Sequence, residues 1–223
     1  MALTSGAAGD AADSAPLPQA SPAPAASPVP ARVVRGSYEQ LTAAEADVLE
    51  AVVSRLIPAD ETGPGALEAG AARYIDRGLG GALAAARESY RRGLPALDAA
   101  ARTAYGTAFA AATPAQQDAL LTALERGDLS GTEWPGGPAA FFALLKAHTW
   151  QGTFGDPFYG GNANFAGWDL LRYPGVRTYV SEDDQRRLEG HALTPVRRSG
   201  YDDPGFSKAT ARLAGDTGHH HGD

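Results

Sequence analysis

Among the many carboxylates and five histidines of this sequence, His148, Asp156 and Asp169 are the candidates for acid–base work. Two carboxylates set across a glycosidic bond can act as acid and base or nucleophile. A histidine can move a proton near neutral pH. Catalysis needs such groups gathered with something to stabilise developing charge, and each of the three has a simpler use. Asp156 precedes Pro157, where an aspartate caps a turn with its own side chain. Asp169 stands further along the same glycine-rich stretch. His148 lacks a His-x-x-x-His or Glu-x-x-His companion, so a metal cage is not expected. A core or interface histidine bonded to its neighbours accounts for it. A stand-alone helical hydrolase using Asp156, Asp169 and His148 is the alternative that these residue types keep open. His219 to His221 close a polar tail and would bind metal only weakly by composition.

Other chemistries fall away on composition. The chain of 223 residues holds no cysteine, so no disulfide, iron–sulfur cluster, thioether haem or thiol nucleophile belongs to it. Its net charge of −7 argues against a protein that tracks phosphates, and no polybasic cluster offers a membrane anchor. No apolar run approaches the roughly twenty residues that a spanning helix needs. The first ten residues lack a basic region followed by an apolar core, so no signal peptide is expected. Neither Gly78 to Gly81 nor Gly152 to Gly161 fits a phosphate-binding turn, which requires Gly-x-Gly-x-x-Gly or Gly-Lys-Ser/Thr between strand and helix.

What stands out is residues 151–176, QGTFGDPFYGGNANFAGWDLLRYPGV. Glycine supplies positive φ and proline fixes φ, so this stretch reads as successive tight turns. Phe154, Phe158, Tyr159, Phe165, Trp168 and Tyr173 need surfaces to pack against, as does Trp150 just before them. Asn162, after two glycines, suits a left-handed position. Gly161→Val should disrupt the loop because a β-branched side chain resists positive φ. Such a loop is ordered and pinned to a body, with some rings turned inward and others outward. Outward rings rimmed by polar groups mark partner surfaces.

The elements that must carry it are helical. Residues 1–36 hold six prolines among Ala and Ser and read as a disordered tail. Thr42-Ala-Ala-Glu45 is a capping box, and Val48, Leu49, Val52, Val53, Leu56 and Ile57 recur at helical spacing, giving a helix over 47–57 before Pro58. Residues 60–65 form a solvated turn that lacks the alternating ligands of a calcium loop. A second helix is expected over 65–77, closed by Gly78. A third over 83–92 is broken by Gly93-Leu94-Pro95, with a further helix over 96–111. Thr113-Pro-Ala-Gln116 caps another, which stops at Gly127, and residues 138–150 form the last clear helix. Beyond 177 the pattern fades to a short turn over 182–188. The expectation is an all-α, small irregular bundle with a long ordered Gly/aromatic loop. The body spans 37–180, between the tail at 1–36 and an extended tail at 181–223.

Gly155-Asp156-Pro157-x-Tyr159-Gly160-Gly161-Asn162, then Gly167-Trp168 and Tyr173-Pro174-Gly175, resembles the signature of the gluconate 2-dehydrogenase subunit 3 family, over about 41–175. The resemblance implies a non-catalytic γ subunit of a sugar or sugar-acid dehydrogenase complex. The catalytic partner there carries FAD and, in several members, an iron–sulfur cluster, while a multi-haem cytochrome c passes electrons onward. The small subunit is taken to bind, mature and help export the large one, placing the complex in the periplasm or at the membrane. This chain departs from the pattern at one point, because no twin-arginine signal is visible. From the loop's own rings and turn residues, the expected docking residues are Phe154, Asp156, Phe158, Tyr159, Asn162, Phe165, Trp168 and Tyr173.

Overall fold

The computed structural model describes residues 37–202 apart from Thr132 and Thr178. The tail at 1–36 and the terminal histidines lie outside the described residues. Among the described residues there are seven α-helices and no β-strand. They are α1 (Ala43–Leu56), α2 (Ala71–Leu79), α3 (Arg87–Tyr105), α4 (Pro114–Arg126), α5 (Pro138–Phe154), α6 (Ala166–Leu170) and α7 (Glu182–Glu189).

Both predicted capping boxes form at the N-termini of α1 and α4: Thr42 pairs reciprocally with Glu45, and Thr113 with Gln116. The apolar stripe of α1 then buries Val48, Leu49, Val52 and Val53. α3 adds Tyr90, Leu94 and Leu97, α4 adds Leu120 and Leu124, and α5 adds Phe141 and Leu145. Burying one such side chain contributes about 1.5–3 kcal/mol. α5 packs against α1, α2, α4 and α6, so the element that leads into the loop is held by most of the bundle.

Several boundaries differ from expectation, each for a tertiary reason. The second helix begins only at Ala71, behind Gly70 in the left-handed region at φ 79°. It runs through Gly78 to Leu79, because Gly78 packs beneath the Leu83 side chain, 2.7 Å from where a Cβ would stand. α3 is one helix where two were expected. Pro95 costs it an amide donor, but Pro95 is exposed while Leu94 and Leu97 are buried, and that burial outweighs the single lost bond. α5 continues past Trp150 to Phe154. Gly152 lies inside it as a packing glycine, where a Cβ would come within 2.8 Å of the Ala71 Cα. Residues 182–189 make a full helix capped by Ser181 with Asp184.

One buried carboxylate had no signature in the sequence. Asp76 on α2 accepts backbone amides from Glu39 (2.7 Å), Gln40 (2.9 Å) and Leu41 (3.0 Å). It fixes the point at which the chain enters the bundle by giving these three amides the acceptor that buried backbone donors need.

Candidate functional site

The loop after α5 is built around the backbone of α5's last turn. Asn162 is fully buried and stands in the left-handed region at φ 45°, which asparagine tolerates better than other residues with a Cβ. Its amide donates to the Gly152 carbonyl (2.7 Å). Its side-chain Nδ2 donates to the Gly155 carbonyl (2.9 Å), and its Oδ1 accepts the amide of Gly167 (2.8 Å). One side chain therefore joins both ends of the turn region. The amide of Ala163 donates to the Ala69 carbonyl (2.9 Å), tying the loop to the segment before α2.

These contacts are backbone against backbone. A Cβ on Gly161 would stand 2.2 Å from the Gly152 carbonyl oxygen, and one on Gly167 1.9 Å from that of Thr153. Gly161 does not have the positive φ expected of it; what requires glycine there is close approach. Positive φ occurs instead at Asn162, Asn164 and Phe165, as well as at Gly160. For Phe165 it costs on the order of 1 kcal/mol, held in place by the bonds of its neighbours.

The rings divide by direction. Trp168 is 7% exposed; its indole Nε1 donates to the Phe154 carbonyl (2.9 Å), and its ring meets Phe165 and Tyr173 at 5.5 and 4.8 Å. Phe154 and Phe165 are half-buried. Phe158, Tyr159, Tyr173 and Trp150 are exposed. Of the residues named as docking candidates, Asn162 and Trp168 thus hold the loop together from within, while Phe158, Tyr159 and Tyr173 face outward.

The acid–base candidates have separate employments. Asp156 Oδ1 accepts the Phe158 amide (2.9 Å), the turn cap expected of it, and Asp169 pairs with Arg197. His148 is buried, with Nδ1 3.0 Å from the Tyr90 hydroxyl and the two rings stacked. Burial pushes its pKa down and pushes that of the Tyr90 phenol up. None of the hydrogen bonds of these three residues involves another of them. Among the described residues no three of His, Asp or Glu gather as metal ligands.

A family model described as gluconate 2-dehydrogenase subunit 3 matches residues 43–175, more than half of the chain. The chain belongs to the gluconate 2-dehydrogenase subunit 3 family. No curated protein and no solved structure gives a significant match. The subunit 3 region starts with α1 and ends at Gly175, so it contains α1 to α6 and all but the last residue of the loop. α7 and the described residues after it lie beyond it. The family name is that of one subunit in a dehydrogenase complex, which fits an accessory chain beside a catalytic one. Among the described residues no helix is long and apolar enough to cross a membrane.

Proposed function

We propose that this subunit 3 chain is a non-catalytic accessory subunit that binds and stabilises the FAD-containing catalytic subunit of a gluconate or related sugar dehydrogenase complex. The observation that carries the reading is the division of labour in the loop. Asn162, Trp168 and the close-packed Gly161 and Gly167 hold its shape from within, leaving Phe158, Tyr159 and Tyr173 outward on a fixed frame. Aromatic side chains presented rigidly are the usual anchors of protein interfaces, because little freedom is lost when they are covered. Phe154, Phe165 and Asp156 flank them and complete the docking face.

FAD, with an iron–sulfur cluster or haem c where the complex contains them, belongs to the partner subunits in this reading. A multi-haem cytochrome c is the further partner. Maturation or export of the catalytic subunit would follow from the same docking, in the periplasm or at the membrane surface.

Co-expression tests it. The catalytic subunit should co-purify with the wild-type chain and be recovered in lower soluble yield without it. The double variant Phe158→Ala, Tyr159→Ala should keep the free chain's melting temperature while weakening the complex by about 2 kcal/mol or more. A purified lone chain that oxidised a sugar acid with an artificial acceptor would overturn the reading.

A further inference from the structure

The chain leaves the family region at Gly175 and then comes back to it. The Val196 amide donates to the Pro174 carbonyl (3.0 Å). Gly175 permits that crossing, since a Cβ there would lie 2.2 Å from the Val196 carbonyl oxygen. Arg197 bonds the Asp169 carboxylate and the Asn164 carbonyl. The Ser199 hydroxyl and the Gly200 amide both donate to Asp156, at 2.5 and 2.8 Å. Tyr201 lays its ring on Phe158, with centroids 3.9 Å apart and planes at 23°, and its hydroxyl bonds that of Tyr159. One short segment thus engages both carboxylates of the loop and two of its outward rings.

The manner of attachment separates this segment from the core. Only Ser199 is buried between 195 and 202. The Arg197–Asp169 pair is exposed on both sides, and exposed pairs contribute only about 0–1 kcal/mol. Phe158 and Tyr159 remain 50% and 56% exposed beneath Tyr201, so that contact buries little apolar area. Segments with few buried contacts open locally at low free-energy cost. The loop's own frame does not depend on the segment. The bonds of Asn162, the indole bond of Trp168 and the Asp156 cap on Phe158 are all internal to it.

We propose that residues 195–202 form an intramolecular strap across the loop face on which the catalytic subunit docks, so that strap closure and docking exclude one another. The proposal rests on the docking reading above. It adds that the free subunit is partly self-covered. Opening the strap releases the carboxylates of Asp156 and Asp169 and the outer face of Phe158 together, giving the partner two charged acceptors and a ring. A protein whose binding-competent state is a minor fraction has its affinity lowered by that fraction. Loosening the strap therefore tightens docking.

The test uses the full chain carrying Arg197→Glu, Ser199→Ala and Tyr201→Ala, titrated against the FAD-containing catalytic subunit beside the wild type. Tighter binding by the variant, by about tenfold for a strap closed nine-tenths of the time, is the expected result. Equal or weaker binding overturns the strap. Hydrogen exchange at the Gly167 amide supplies a second readout. It should stay as protected in the variant as in the wild type, and loss of protection would mean that the segment props the loop up and would overturn the proposal. If only the variant binds, the strap is the block. If neither chain binds, the docking reading falls and the strap reading with it, an outcome distinct from equal binding by both.

Discussion

His148 lies on α5 with Nδ1 against the Tyr90 hydroxyl, and burial holds its pKa below the ordinary value of about 6.5. The unfolded chain therefore takes up a proton at this site before the folded chain does, and stability falls as pH drops. The contribution is fully present above about pH 6.5 and is lost progressively below it. Chemical denaturation at pH 7.5 and pH 5.5 should give lower stability at the acid end, and His148→Gln should narrow the difference. Trp168 makes a second case. Its ring is buried and its Nε1 is bonded to Phe154, so Trp168→Ala should destabilise the free chain by about 3–5 kcal/mol. Unchanged melting of that variant would show that the ring is not part of the fold. The turn roles of Asp156 and Asn162 were legible in the sequence, because short polar side chains beside Pro157 and after paired glycines have few other uses. Asp76 was not legible. A carboxylate that collects three amides from a segment some 35 residues earlier leaves no local pattern.

Among the elements, α3 and α5 meet at a point where a side chain was left out. Gly93 faces the Phe141 ring, and a Cβ there would come within 2.5 Å of it. Phe141 is fully buried and also packed by Tyr90 and Trp134, so the ring has nowhere to go. Gly93→Ala should lower stability by about 1–3 kcal/mol despite its better helix propensity, measured by urea denaturation. The same glycine explains why α3 looked like two helices. Gly93-Leu94-Pro95 has the composition of a break, and only the partner helix reveals it as a contact. Gly78 and Gly152 misled in the same way, one placed as a helix end and the other as the start of the loop. The capping boxes marked the starts of α1 and α4, since that signal is local, although apolar spacing alone began α1 at 47 where the helix begins at Ala43. Close approach between helices is not a local property, and glycine alone cannot announce which of its uses applies.

At the scale of the molecule, a bundle of ordinary helices supports one loop, and a later segment crosses that loop. The all-α class and the presence of an ordered, turn-rich loop could be read from the sequence, because they follow from periodicity and from a concentration of rings among turn residues. The return of residues 195–202 could not. It is made of single polar bonds and one stacked ring, with no apolar repeat to mark it. The joint between α5 and the loop has a further consequence. Carbonyl groups rest there on hydrogen atoms of Gly161 and Gly167, where a methyl group would already collide, so no compensating exchange of side chains can re-tune it. The outward rings at 158, 159 and 173 carry none of that contact. They can change in size or polarity while that joint stays as it is, so the outer face can be reshaped without the body learning to fold again.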